Sequence, residues 1–163
     1  MHTFSPPKEG KLHITLPVLL LIVSFMGVVY TKVSSQIPDF IPQFISVASI
    51  ALAIQIITRY SLTRFIYEVR DDERLFKTFK VTGKKSTLTG AIEFDDIIAI
   101  EKKDKNVNLK EKYGKSFRSF NFCNNIFPKD AYYLILNVNG EDITVLIEAD
   151  QAFLEIISGC RPA

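Results

Sequence analysis

Few side chains in this 163-residue chain are of the types that nucleophilic catalysis or metal binding requires. The only histidines are His2 and His13, and the only cysteines are Cys123 and Cys160. Ser-His-Asp and Cys-His nucleophiles need an imidazole to accept the proton, and a zinc site needs several nitrogen or sulfur ligands. Because no histidine follows residue 13, we expect no such catalysis in the C-terminal part of the chain, and neither a metal nor another cofactor.

Two short motifs are similar to catalytic signatures but lack the required spacing. Gly83-Lys84-Lys85-Ser86 looks like the end of a phosphate-binding loop, yet Thr78 occupies the position where that loop needs its first glycine. Asp95 and Asp96 are adjacent, so on a strand they would point to opposite faces and could not share one proton or one metal. We interpret both motifs as turns, and we expect that the protein is not an enzyme.

The apolar residues are concentrated in two uncharged runs, residues 12–31 and 40–58. A helix rises about 1.5 Å per residue, so each run is long enough for a hydrocarbon core about 30 Å thick. The pattern predicts a transmembrane hairpin over residues 12–58, after an N-terminal tail of residues 1–11. A buried helix pair of a soluble protein is disfavoured because Leu19 to Val23 leave no polar stripe. A cleaved signal peptide remains an alternative for the first run.

The charges that flank the two runs predict their orientation. The short connection contains only Lys32 as a basic residue, whereas the outer flanks contain four: Lys8, Lys11, Arg59 and Arg64. The positive-inside rule then places both termini in the cytoplasm of a multi-pass protein of the cell membrane. On that side Cys123 and Cys160 are expected to be reduced.

Small and polar residues share one face of each predicted span. Ser24 and Gly27 lie on one face of the first, and Ser46, Ser49 and Ala53 on one face of the second. Such residues allow helices to approach closely. The two spans could pack on each other through these faces, or the faces could dock other membrane subunits. A transporter working alone is disfavoured because the runs contain no charged residue.

Residues 59–163 alternate apolar and polar side chains with a period of two, which predicts a soluble β-rich module. Asn139-Gly140 is a strong signal for a two-residue hairpin turn. At Asp150 the period becomes helical, with Asp150 as the N-cap and Gly159 as the C-terminal stop. We predict about seven antiparallel strands and one helix, with strands near residues 64–69, 75–81, 86–94, 97–100, 117–122, 132–138 and 143–147.

This arrangement resembles the pleckstrin-homology-like (PH-like) domain of small bacterial membrane proteins. The resemblance rests on the order of elements, on Glu93-Phe94-Asp95-Asp96-Ile97-Ile98-Ala99-Ile100, and on Ile147-Glu148-Ala149-Asp150-Gln151-Ala152-Phe153-Leu154. It implies an α+β module, a seven-strand sandwich or barrel capped by its C-terminal helix, that binds or assembles rather than catalyses. Phosphoinositide-binding members carry Lys and Arg in the first hairpin, whereas here Arg70-Asp71-Asp72-Glu73-Arg74 is mainly acidic, so that ligand is not implied.

The module is unevenly charged along the sequence. Residues 77–118 contain 11 basic and 6 acidic residues, whereas residues 119–163 are net acidic. Lysines close to a bilayer are attracted to anionic headgroups. The candidate contacts are Lys102, Lys103, Lys105, Lys110, Lys112 and Lys115. The alternative is a solvated hairpin in which Glu101, Asp104 and Glu111 offset the lysines.

The segment 121–129 combines apolar side chains with two asparagines and a proline. It could be a contact loop for a partner or a connection that crosses the core. For the whole chain we expect a non-catalytic inner-membrane protein whose cytoplasmic module mediates protein interaction, assembly or regulation. The alternatives are an auxiliary subunit of a membrane transporter or enzyme complex, and an anionic-lipid sensor. Expected partners are the lipid bilayer and other membrane proteins or a second copy, with no nucleic acid and no small-molecule substrate.

Overall fold

A computed structural model describes residues 1–33, 38, 40–104, 109–113 and 118–160. The chain forms two compact units. One is a helical hairpin of residues 9–64, and the other is a module formed by residues 1–8 together with residues 65–163. Residues 1–8 are therefore part of the module and not of the N-terminal tail that is predicted for residues 1–11.

The hairpin unit contains α1 (Leu12–Val33) and α2 (Phe40–Ile56), and α2 continues into a π-helical turn, Ile57–Ser61. Two stretches, Leu12–Thr31 and Phe40–Ser61, are long and apolar enough to cross a membrane. Their large side chains are widely exposed, for example Phe25 at 71% and Phe44 at 74%. A soluble core helix buries such side chains, so this exposure is typical of helices that face lipid.

The first sheet has the strand order β1-β2-β3-β4, with β1 at His2–Phe4, β2 at Thr63–Arg70, β3 at Leu75–Thr82 and β4 at Lys85–Glu93. Strand β1 pairs antiparallel with β2, and Phe4 lies opposite Tyr67. Strand β1 is not predicted from the sequence, because three residues are too few to show a periodic pattern. A 3-10 turn, Phe94–Asp96, leads from β4 into the second sheet.

The second sheet has the order β5-β7-β8-β6, with β5 at Ile97–Lys102, β6 at Arg118–Asn121, β7 at Ala131–Val138 and β8 at Glu141–Glu148. A short helix, α3 (Leu109–Tyr113), lies between β5 and β6 in sequence. Strand β6 runs parallel to β8. Among the described residues, the seven strands expected after residue 59 are confirmed as β2 to β8, and β1 adds an eighth strand from outside that region. The expectation that all strands are antiparallel is wrong for one pair, β6 and β8. No tight turn joins β6 to β8, its partner in the sheet, so β6 can run parallel to β8.

The C-terminal helix α4 (Gln151–Gly159) packs on the core of the module. Its N-cap is Asp150, as predicted, because the Asp150 carboxylate accepts a hydrogen bond from Phe153 N at 2.8 Å. Gly159 is not a left-handed stop, since the cap is Cys160 with a φ of −84°. The predicted hairpin turn is confirmed, because Asn139 and Gly140 have φ values of 53° and 83°. Fully buried side chains of both sheets and α4, including Tyr67, Phe76 and Ile157, form one core.

Candidate functional site

The small residues of the hairpin lie between α1 and α2. Ser24, Ser46, Ser49 and Ala53 are all buried, at 7% exposure or less. The Ser46 hydroxyl is 3.0 Å from the Ser24 carbonyl oxygen and 2.8 Å from the Pro42 carbonyl oxygen. A Cβ atom on Gly27 would collide with the Ser46 hydroxyl. These faces therefore lie against each other within the hairpin, so a second membrane protein cannot dock on them while it is closed.

The candidate lipid-contact lysines are only partly within the described part of the chain. Lys105 and Lys115 lie outside the described residues, and nothing is described of the Lys110 side chain. Lys103 is exposed. Lys102 pairs with Asp130 at 3.4 Å, and its ammonium lies 5.8 Å from the centre of the Tyr132 ring.

Lys112 pairs with Glu101, which also accepts a hydrogen bond from the Tyr113 hydroxyl at 2.6 Å. These bonds, that of Lys112 above all, hold the pKa of Glu101 below its ordinary value. Glu101 thereby attaches α3 to β5. Much of the Lys112 charge is already offset by this carboxylate, which reduces what it can offer to a headgroup.

The segment 121–129 begins as a core connection and ends at the surface. Phe122, Cys123, Asn124 and Asn125 are buried, whereas Phe127 is 77% exposed. The Phe122 ring lies 5.3 Å from the Phe65 ring, which joins the two sheets. The first half of the segment is therefore the core-crossing connection, and the exposed Phe127 belongs to the second half.

A buried carboxylate, Glu148, organises this connection. It is 6% exposed and accepts bonds from the backbone amides of Asn124 at 2.6 Å and Asn125 at 3.1 Å, and from the Asn125 side chain at 2.6 Å. Such charge-assisted bonds satisfy a carboxylate that would otherwise be costly to bury. This site is not predicted from the sequence. The feature that could have indicated it is a glutamate at the end of the apolar run of β8.

The same asparagines bind the N-terminal segment. Asn124 Nδ2 donates to the Pro6 carbonyl at 3.0 Å and to the Phe65 carbonyl at 3.1 Å, and Asn125 Nδ2 donates to the Pro7 carbonyl at 2.9 Å. We call Glu148, Asn124 and Asn125 the N-terminal clamp. The clamp binds two segments of the module: residues 6–7, which precede α1, and Phe65, which follows the second apolar helix.

An apolar cleft of about 250 Å³ opens between the two sheets. It is lined by β4 on one side and by β6, β7 and β8 on the other, with Gly90, Phe120, Phe122 and Val145 among its walls. Strands β4 and β6 are each at the edge of their sheet. An edge strand beside an apolar cleft can accept an extended segment of another protein.

The two motifs that look catalytic are both turns. Gly83 has a φ of 59° and joins β3 to β4, and Asp95 is bonded to Arg74 at 2.8 Å. Within the residues that the structure describes, no three His, Cys, Asp or Glu side chains gather as metal ligands. Comparisons of the chain with protein-family models, with curated proteins and with solved structures found no match.

Proposed function

We propose that this chain is a non-catalytic integral membrane protein whose PH-like module mediates protein interaction, assembly or regulation at the inner membrane. The observation that carries the proposal is that both flanks of the two apolar helices fold into one module. Strand β1 pairs with β2, and the N-terminal clamp holds Pro6 and Pro7. If both helices cross the bilayer, this module can close only when its two parts are on the same side, which favours a two-span hairpin.

The packing of Phe4 argues against a cleaved first span. The Phe4 ring stacks on Phe153 at 4.9 Å and on Tyr67 at 6.3 Å between ring centres. Cleavage after the first span would remove β1 and these contacts from the core. The chain before α1 therefore favours an uncleaved membrane anchor, and the flanking lysines and arginines favour a cytoplasmic module.

Two four-stranded sheets closed by an amphipathic C-terminal helix are consistent with a PH-like module. Strand β1 is an addition to the seven expected strands, and the parallel β6 departs from the expected antiparallel pairing. The surface features that support an interaction role are exposed apolar side chains. Phe120 lines the cleft and is 43% exposed, and Leu88 on the edge strand β4 is 51% exposed. Phe127 is 77% exposed.

The alternative of an auxiliary subunit needs a different intramembrane surface from the one expected. Ser46, Ser49 and Ala53 are occupied by the hairpin itself, so a partner subunit would have to contact outward residues such as Phe25 or Phe44. Of the lysines expected for an anionic-lipid sensor, Lys103 is exposed, whereas Lys102 and Lys112 are in ion pairs.

Photo-crosslinking of the full-length protein in its own membrane tests the proposal. A crosslinker at Phe120, in the cleft, should give a defined adduct with one membrane protein or with a second copy. The matched control is a crosslinker at Asp72, an exposed residue of the β2–β3 turn. A protein that gives no adduct from position 120, and that purifies in mild detergent as a monomer without a partner, would refute an interaction role.

A further inference from the structure

The module has two ends, which the strand directions define. Strand β2 begins two residues after Ser61, the last residue of the second apolar helix. A four-residue turn joins β2 to its neighbour β3, so the two strands are antiparallel. The β3–β4 turn at Gly83-Lys84 therefore lies at the sheet end where β2 begins, which we call the span end.

The second sheet follows the same polarity. Asn124 bonds both Glu148, the last residue of β8, and Phe65 near the start of β2, so Glu148 is also at the span end. Register places Ala131 opposite Glu148 and Lys102 opposite Tyr132. The turns 71–74, 94–96 and 139–140 lie at the opposite end, which we call the far end, where Arg74 bonds Asp95.

The two ends carry opposite charge. The three far-end turns and the start of β8 contain seven acidic residues: Asp71, Asp72, Glu73, Asp95, Asp96, Glu141 and Asp142. The basic groups at this end are Arg74, Arg70 at the end of β2 and the Met1 amino group, so the far end is net acidic. At the span end, the β3–β4 turn carries Lys84 and Lys85, with Lys80 on the strand before it, and no acidic residue occurs between Arg74 and Glu93. All three lysines are exposed, and within the described residues none of them is in an ion pair.

The turn is close to the point where the chain enters the module. Neighbouring strands are about 4.8 Å apart, so the turn between β3 and β4 lies about 5 to 10 Å from the start of β2. Counterions at physiological ionic strength screen charges over about 8 Å. The chain passes from the second apolar helix, which ends at Ser61, into the module at Phe65, so the span end is the end of the module that the chain ties to the membrane.

We propose that the span-end lysines Lys80, Lys84 and Lys85 bind the anionic headgroups of the leaflet from which the second helix emerges, while the acidic far end is repelled whenever it approaches that leaflet. The two effects orient the module on the membrane. The inference rests on the proposed membrane tether but uses a surface different from the cleft. Each lysine close to an anionic surface strengthens the binding of the module to that surface about fivefold.

Fluorescence quenching of the full-length protein in nanodiscs tests this orientation. In a Cys160→Ser background, a fluorophore is attached at Thr87→Cys, which is opposite Lys80, or at Asp72→Cys at the far end. The discs contain a headgroup-labelled quencher lipid in either zwitterionic lipid or a mixture with an anionic lipid. Quenching at residue 87 should increase in the anionic discs and return to the zwitterionic level in high salt, whereas residue 72 should stay unquenched.

Two matched triple variants separate charge from structure. Lys80→Glu/Lys84→Glu/Lys85→Glu should lose the anionic-lipid quenching at residue 87, whereas Lys80→Arg/Lys84→Arg/Lys85→Arg should keep it. Continued protection of buried Cys123 from thiol reagents shows that each variant is folded. Equal quenching in both lipid mixtures, or quenching that survives charge reversal, would overturn the inference.

Two further measurements identify other outcomes. If a single-stranded oligonucleotide binds the protein in zwitterionic discs and binding is lost on charge reversal, the lysines form a nucleic-acid site and the lipid proposal is wrong. A fluorophore at Phe25→Cys should be quenched by acyl-chain-labelled lipid. If it is not, the membrane tether itself fails, and with it both the proposed function and this inference.

Discussion

The Ser61 hydroxyl donates a hydrogen bond to the His13 carbonyl oxygen, at 2.9 Å, between the end of the second apolar helix and the first turn of α1. Pro17 lies one helical turn after His13 and has no N–H to donate to that carbonyl. In a membrane, an unsatisfied carbonyl is costly, and a hydroxyl from a neighbouring helix is one of the groups that compensate. Ser61 is the last residue of the π-helical turn, which a bond from Leu62 N to Ile57 O closes.

Ser61→Ala should destabilise the hairpin by about 0.6 kcal/mol, the average for hydrogen bonds between membrane helices, and by no more than about 1.7 kcal/mol. In a Pro17→Ala background the same change should have almost no effect, because residue 17 then donates its own N–H to His13. Equilibrium unfolding of all four proteins in mixed micelles measures the coupling. An equal loss in both backgrounds would show that Ser61 does not act through the His13 carbonyl.

Gly27→Ala should loosen the helix pair, because its new methyl group collides with the Ser46 hydroxyl. Overpacking of this kind costs about 1 to 3 kcal/mol. Adding Ser46→Ala should recover part of the loss by removing the colliding oxygen. The control is Val47→Leu on an outward position that is 67% exposed, which should leave unfolding in mixed micelles unchanged. If the control is as damaging as Gly27→Ala, close approach of the helices is not the cause.

Glu148→Ala should release the N-terminal strand, because the amides of Asn124 and Asn125 lose their buried acceptor. Each unsatisfied buried donor costs about 1 to 3 kcal/mol. Hydrogen exchange should therefore quicken in β1 and in residues 122–125 before it quickens in β7. Glu155→Gln on exposed α4 surface is the control and should leave β1 protected. Unchanged exchange in β1 of Glu148→Ala would show that the clamp does not hold the N-terminus.

The Glu101 contacts predict a pH-dependent stability. Because its pKa is lowered in the folded protein, this carboxylate stabilises the fold above its ordinary pKa of 4.5, and the contribution is lost as the pH falls further. Thermal unfolding of wild type and Glu101→Gln should differ at neutral pH and converge under acidic conditions. Glu111→Gln removes a charge from the same short helix as a control. A difference that persists at low pH would mean that Glu101 acts through packing rather than charge.

Cys160 is the thiol suited to topology mapping, but it should react slowly. Burial, and then its hydrogen bond to Asp71 at 3.2 Å, raises the pKa of this thiol, so less of the reactive thiolate is present at neutral pH. An impermeant maleimide should label it faster as the pH rises, and faster in Asp71→Asn. Cys123 is fully buried and should stay unlabelled. Labelling of Cys160 from outside intact cells would contradict the cytoplasmic orientation.

Local patterns were enough to predict much of this architecture. The uncharged runs located both apolar helices, Asn139-Gly140 located the β7–β8 turn, and Asp150 located the start of α4. Each depends on residues that are adjacent or one turn apart. The same reasoning missed β1 and the role of Glu148, because their partners are distant: Phe4 pairs with Tyr67, and Glu148 with Asn124.

The charge distribution shows this division most clearly. The sequence by itself determined the composition of each segment, including a basic stretch over residues 77–118 and an acidic C-terminal part. Only the tertiary structure decided that acidic turns from both parts share the far end while Lys80, Lys84 and Lys85 lie at the span end. The physical reason is that antiparallel strands reverse direction at every turn, so the end of the sheet at which a charge lies depends on strand pairing and not on its position along the chain.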